Sequence, residues 1–157
     1  MICADIEAFA AALPEFGAVL GLDFGQRTVG VAVSDVTRAI ASPLLLIERR
    51  NREADMAEVL KAASGREAVG AVIGLPLQMD GAEGERAEIT RKFAERLAAA
   101  WDAPLVLWDE RLSTAGVERL LIGEADLTRR RRKQVVDKSA AAFILQGALD
   151  RIGNLRR

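Results

Sequence analysis

Between residues 18 and 35 the chain reads AVLGLDFGQRTVGVAVSD, and Leu20, Leu22 and Phe24 alternate there with Val19, Gly21 and Asp23. A period of two puts alternate side chains on opposite faces of a strand. With the short Gly25-Gln26-Arg27-Thr28 connection to a second β-branched run, the stretch predicts a β-hairpin. Ile40 to Ile47 predicts a third strand, where Pro43 suits an edge position or a bulge. Asn51 can cap a helix through Ser64, with Met56, Val59 and Leu60 on its apolar face and Gly65 to end it. Residues 69–75, VGAVIGL, form the continuous apolar run of a buried parallel strand. From Glu83 to Ala100, Ile89, Phe93 and Leu97 recur every four residues among charged neighbours, which predicts an amphipathic helix. Pro104 to Trp108 reads as a fifth strand, Thr114 to Leu121 as a helix, the stretch to Lys133 as a polar loop, and Val136 to Ile152 as a last helix. Ile6, Phe9, Ala10 and Leu13 have helical spacing ahead of Pro14 and predict a short helix outside the sheet.

Three antiparallel strands followed by strand-helix alternation predict an α/β fold, a mixed five-stranded sheet with helices on both faces. The expected organisation is an N-terminal extension over residues 1–17 and a single domain over 18–157. At 157 residues, 50% hydrophobic and 29% charged, the chain is long enough to bury a core. Its apolar runs fall short of the roughly 18 residues a membrane span needs. Acidic residues at 5, 7 and 15 with no early Lys or Arg do not suit a secretory leader, so a cytoplasmic location is expected.

The absence of histidine changes the picture most. It removes Ser-His and Cys-His nucleophile systems and His-ligated zinc together. Cys3 is the only cysteine, so an internal disulfide is excluded as well. Catalysis would have to run on carboxylates, lysine or bound metal. Residues 1–108 carry 11 basic and 16 acidic side chains, net −5, and residues 109–157 carry 11 and 7, net +4. An anionic partner would dock on the C-terminal third.

Asp23 is the anomaly of the first strand, because a carboxylate amid apolar residues loses its hydration unless a partner or a cation takes it up. It reads either as a turn cap accepting from the N–H groups of residues 25 and 26, or as a metal ligand. Two more acids fall at predicted edges: Glu110 in WDER past the fifth strand, and Asp137 in VVDKSAAAFILQ at the start of the last helix. Taken alone, Glu110 could pair with Arg111 on the surface, and Asp137 could be an N-cap or first-turn acid. Ligands collect at the carboxyl ends of parallel strands. If the fourth strand lies between the first and the fifth, the three acids can converge. Two carboxylates ~4 Å apart repel by roughly 1 kcal/mol in water and about 4 kcal/mol at an effective dielectric of 20, so three together call for a proton or a cation. All-oxygen ligation selects Mg²⁺ or Mn²⁺ over zinc or copper. Asp35, at the far end of the hairpin's second strand, and Asp109, facing away from Glu110 if the strand continues, rank lower.

Just before Asp137 stand five adjacent cations, Arg129 to Lys133. They read as a solvated loop; beside a metal site, Arg130, Arg131, Arg132 and Lys133 would instead form a phosphate-binding arm. With no Tyr, two Trp and five Phe, recognition of backbone or shape is better supported than base stacking.

LGLDFGQRTVGVAVSD, VIGLPLQMDGAEGERA, LWDERLST and VVDKSAAAFILQ, in that order, resemble the YqgF/RuvX family of RNase H-like nucleases over residues 18–152. The resemblance implies an RNase H-like fold, an acidic metal-dependent site and a role in trimming the 5′ end of pre-16S rRNA, with Holliday-junction resolution as the alternative. It places the acidic ligands on Asp23, Glu110 and Asp137, and Arg111 beside the scissile phosphate. Gln26-Arg27 stands where many members have a Lys-containing pair, which moves that phosphate contact to Arg27, and Lys138 after Asp137 could compete with metal. The expected chemistry is phosphodiester hydrolysis with two Mg²⁺ (or Mn²⁺) ions held by the three acids. The expected partner is structured RNA or branched DNA, met by a monomer or, for a junction, by a homodimer with two sites. A catalytically silent nucleic-acid-binding or assembly factor is the alternative from another class. DFGQRTVGVA also resembles the first phosphate loop of actin-like and sugar-kinase nucleotide sites, but those need a second such domain to enclose the nucleotide.

Overall fold

The computed structural model describes residues 1–111 and 129–156, with side chains described for 1–111 and 140–156. The elements are β1 (Ile2–Cys3), α1 (Ile6–Ala12), β2 (Val19–Phe24), β3 (Thr28–Ser34), β4 (Ala41–Glu48), α2 (Arg52–Gly65), β5 (Gly70–Leu75), α3 (Glu85–Ala100), β6 (Leu105–Asp109) and α4 (Arg129–Leu155). The helix expected over Thr114–Leu121 lies outside the described residues. Among the described residues, no helix is long and apolar enough to cross a membrane.

The strands form one sheet in the order β1-β6-β5-β2-β3-β4. The hairpin is antiparallel, as is β3 with β4, whereas β2–β5 and β5–β6 are parallel. The fourth predicted strand, β5, therefore lies between the first and the fifth. β4 is the edge; Val31 faces Leu45 and Ala32 faces Pro43, so Leu44 is the extra residue of a bulge. Asn51 caps α2 by accepting from the Ala54 N–H at 2.8 Å.

Two expectations are corrected. The sheet has a sixth strand: Ile2 and Cys3 pair in parallel with Leu105 and Val106. Two residues are too short to show a period, and only the β6 edge organises them. The last helix begins at Arg129, not near Val136, so the backbone of the basic run is helical rather than a loop. Arg and Lys are good helix formers, and continuity with the packed helix outweighs their mutual repulsion.

The alternation along β2 sorts the core. Leu20, Leu22 and Phe24 face α2 and α3, packing with Val59, Phe93 and Leu97. Val19 belongs to the opposite layer, with Phe9 of α1 and Ala141, Ile144, Leu145 and Ala148 of α4. Two glycines let α4 lie close on that second face. A Cβ on Gly21 would stand 2.6 Å from Leu145 Cβ and 2.8 Å from the Ala141 carbonyl oxygen, and one on Gly74 would stand 2.5 Å from Ile144 Cδ1.

Candidate active site at the carboxyl ends of the parallel strands

Residues two apart on a strand share a face, so Asp23 lies on the α4 side with Val19 and Gly21. On β6, Val106 belongs to that same layer, and Trp108 packs against it. Glu110 continues this series just past the strand, where its N–H donates to the Leu75 carbonyl at 3.1 Å. Its Oε2 lies 3.6 Å from where a Gly74 Cβ would be. Gly74 pairs with Trp108, and the Leu22–Ile73 pair sets Asp23 level with Gly74 one residue on. Asp23 and Glu110 thus share one face and one end of the sheet, either side of Gly74, over which Ile144 packs.

The direction of α4 brings in the third acid. Gln146 Oε1 accepts from the Ala41 N–H at 2.8 Å, level with Ser34, whose hydroxyl accepts from Val19 N–H. Ala141 lies over Gly21. From 146 to 141 the helix therefore climbs toward the carboxyl end of β2. Four further residues at ~1.5 Å carry the backbone of Asp137 ~6 Å beyond Ala141, matching the ~6.6 Å from Gly21 to Asp23. With the helix starting at Arg129, Asp137 is two turns inside it, which overturns the cap reading. The side chains of Asp137, Arg130, Arg131, Arg132 and Lys133 lie outside those described.

Gly25 N–H donates to the Thr28 carbonyl at 2.8 Å, so the turn closes on its own backbone. Arg111 pairs with Asp109 (Nη2 to Oδ2, 2.7 Å), not with Glu110, and its Nη1 donates to the Met79 carbonyl at 3.3 Å. Arg111 therefore braces the 76–84 loop against the end of β6. Asp35 accepts from the N–H groups of Thr37, Ala39 and Ile40 and from the Thr37 hydroxyl, a turn-closing role. Arg27 is exposed at the hairpin tip.

Half-burial pushes the Glu110 carboxyl above the ordinary carboxylate range; Arg86 opposes the rise and Asp109 adds to it. Arg86 was not singled out in the sequence, being one of many charges on an amphipathic helix. Its Nη2 donates to the Phe24 carbonyl at 2.9 Å, next to Asp23. Its position in the first turn of α3, two residues after the Gly84 cap, is the signal that could have marked it.

These acids suit a divalent cation: half-buried oxygen donors, one of them held against its own ionisation by burial. Among the described residues no group of three or more acids or thiols that could hold a metal ion stands together.

The profile of the RuvX family, described as Holliday junction resolvase, matches residues 17–151. A Rhodospirillum rubrum protein named as a candidate pre-16S rRNA nuclease is 55% identical over 155 residues, covering 99% of this chain and 96% of its own length. A Rhodobacter capsulatus protein of the same name is 52% identical over 157 residues, covering 100% and 98%. Among solved structures, Thermus thermophilus RuvC in complex with a Holliday junction substrate superimposes with a TM-score of 0.56 at 15% identity, covering 87% of this chain and 96% of that one. At that identity the likeness concerns the fold, which is that of RuvC-like, RNase H-type resolvases.

Proposed function

The chain belongs to the RuvX family, and on that premise we propose that it is a cytoplasmic, divalent-metal-dependent nuclease that processes the 5′ end of pre-16S rRNA. Asp23, Glu110 and Asp137 are its acidic ligands. The observation that carries this reading is the meeting of Asp23 and Glu110 on one face at one end of the sheet, with α4 running its Asp137 backbone to the same end. When bound, Mg²⁺ or Mn²⁺, as one ion or a pair, supplies Lewis acidity toward the phosphodiester. The protein holds the two strand-borne acids rigidly and partly out of water, where charge is screened least. Arg86 balances Glu110 from the side of Phe24. Arg27 at the hairpin tip and Arg130, Arg131, Arg132 and Lys133 on α4 hold substrate phosphates, and Arg111 keeps the 76–84 loop at the rim.

The test is to present purified protein with a 5′-extended 16S precursor RNA and a four-way DNA junction, each in Mg²⁺ and in EDTA. Mg²⁺-dependent cleavage of the RNA is expected. No metal-dependent cleavage of either substrate would overturn the nuclease reading. The family profile's own description favours a second reading, junction resolution, which needs two sites in a symmetric dimer. Junction cleavage by a dimer, with the RNA left intact, would select it.

A further inference from the structure

We propose that Arg49, Arg52 and Arg96, on the opposite face of the sheet from the acids, form a second phosphate site that holds the nucleic-acid backbone away from the bond being cut. The proposal rests on the nuclease reading. Phe24 connects the two regions: Asp23 precedes it, its carbonyl accepts from Arg86, and its ring lies under the Arg49 guanidinium, Cζ 4.3 Å from the centroid. Arg49 also donates to the carbonyls of Gly25 (2.9 Å) and Gln26 (3.2 Å), which fixes it against the hairpin tip that carries Arg27. On the other side of Phe24, Phe93 stacks at 4.3 Å and 12°.

Arg96 follows Phe93 by three residues and so emerges on the same side of α3. It is half-buried, its Nε is buried, and among the described residues that nitrogen has no hydrogen-bond partner. Burial, then the charges of Arg52 and Arg49, pushes its pKa below the ordinary arginine value. Asp55 is the acid at this cluster, 3.6 Å from Arg49 Nε, and it also accepts from the Arg50 N–H at 2.9 Å. Three guanidinium groups that do not give up their protons, against one carboxylate already engaged, leave an excess of positive charge. A phosphate relieves that repulsion and matches the planar forks of arginine.

The test measures binding of a labelled RNA hairpin with a 5′ single-stranded extension in EDTA, by fluorescence anisotropy across salt concentrations. Wild type is compared with Arg52→Gln/Arg96→Gln. The double variant is expected to bind about tenfold more weakly at low salt, with a log-log salt slope shallower by about 0.7 for each phosphate no longer neutralised. Its Tm should hold or rise, since like charges are removed. Arg52 is exposed, so Arg52→Gln alone carries the test if the double variant melts early. Equal affinity and equal slope in wild type and variant would overturn the second site while leaving the nuclease reading intact. Failure of the wild type to bind RNA would overturn the RNA-processing reading itself. A variant that loses thermal protection by inorganic phosphate yet binds RNA as wild type does would assign the cluster to a free anion, against the proposal.

Discussion

The two ends of the central sheet carry similar side chains and use them differently. At the amino end of β2, Asp35 accepts four hydrogen bonds from its own turn, and Arg38 ties three carbonyls of the 14–17 segment. Those hydrogen bonds hold the Asp35 carboxyl down at about 2, the Thr37 hydroxyl contributing most and the Ile40 N–H next. At the carboxyl end, Glu110 is moved the other way, upward, because burial outweighs the help of Arg86. An acid whose ionised form is satisfied by its own fold is structural; one whose ionised form is made costly by burial leaves room for a cation from outside.

The largest effect expected from this contrast is on catalysis. Asp23→Asn should lower the rate of metal-dependent RNA cleavage by about 100-fold or more, since changes merely next to a ligand already cost 10- to 100-fold. Asp35→Asn should leave the rate alone, and equal losses in the two variants would erase the distinction between the ends. Next comes packing: Gly21→Ala forces a methyl against Leu145 and the Ala141 carbonyl, and should destabilise the fold by about 1–3 kcal/mol in denaturant titration. An unchanged midpoint would mean that α4 does not depend on its close approach at Gly21.

Two smaller effects have opposite signs. The Asp35 pKa is depressed on folding, so its contribution is fully present above the ordinary value of 3.8 and is lost as pH falls through about 2. Asp35→Asn should therefore lower Tm at pH 7, and the gap to wild type should close in strong acid. The Glu110 pKa is raised, so ionisation opposes folding as pH rises above the ordinary 4.5. Glu110→Gln should raise Tm slightly in metal-free protein at pH 7–8 and have no effect at pH 4. Melting curves at both pH values check the pair, and shifts of the same sign would break the comparison.

The parts of the molecule legible in the sequence are those with a period. Leu20-Leu22-Phe24 against Val19-Gly21-Asp23 placed the hairpin and the face of Asp23, and the spacing of Ile89, Phe93 and Leu97 placed α3 within two residues. Ile2 and Cys3 were not legible, because a two-residue strand exists only through the β6 edge. The Arg129–Lys133 run misled because charge density signals solvation, whereas α4 carries it as helix. Of the candidate site, the composition and the strand ends pointed to Asp23 and Glu110, which the sheet sets on one face. Arg86, Arg49 and Arg96 were hidden among many surface charges, since their meaning lies in what Phe24 brings together across three elements.

The most direct measurement is calorimetric titration of Mn²⁺ into metal-free wild type, Asp23→Asn and Glu110→Gln. Saturable binding by the wild type that is lost or strongly weakened in both variants is the predicted result. Identical Mn²⁺ binding by all three proteins would contradict the assignment of a cation to the carboxyl ends of β2 and β6.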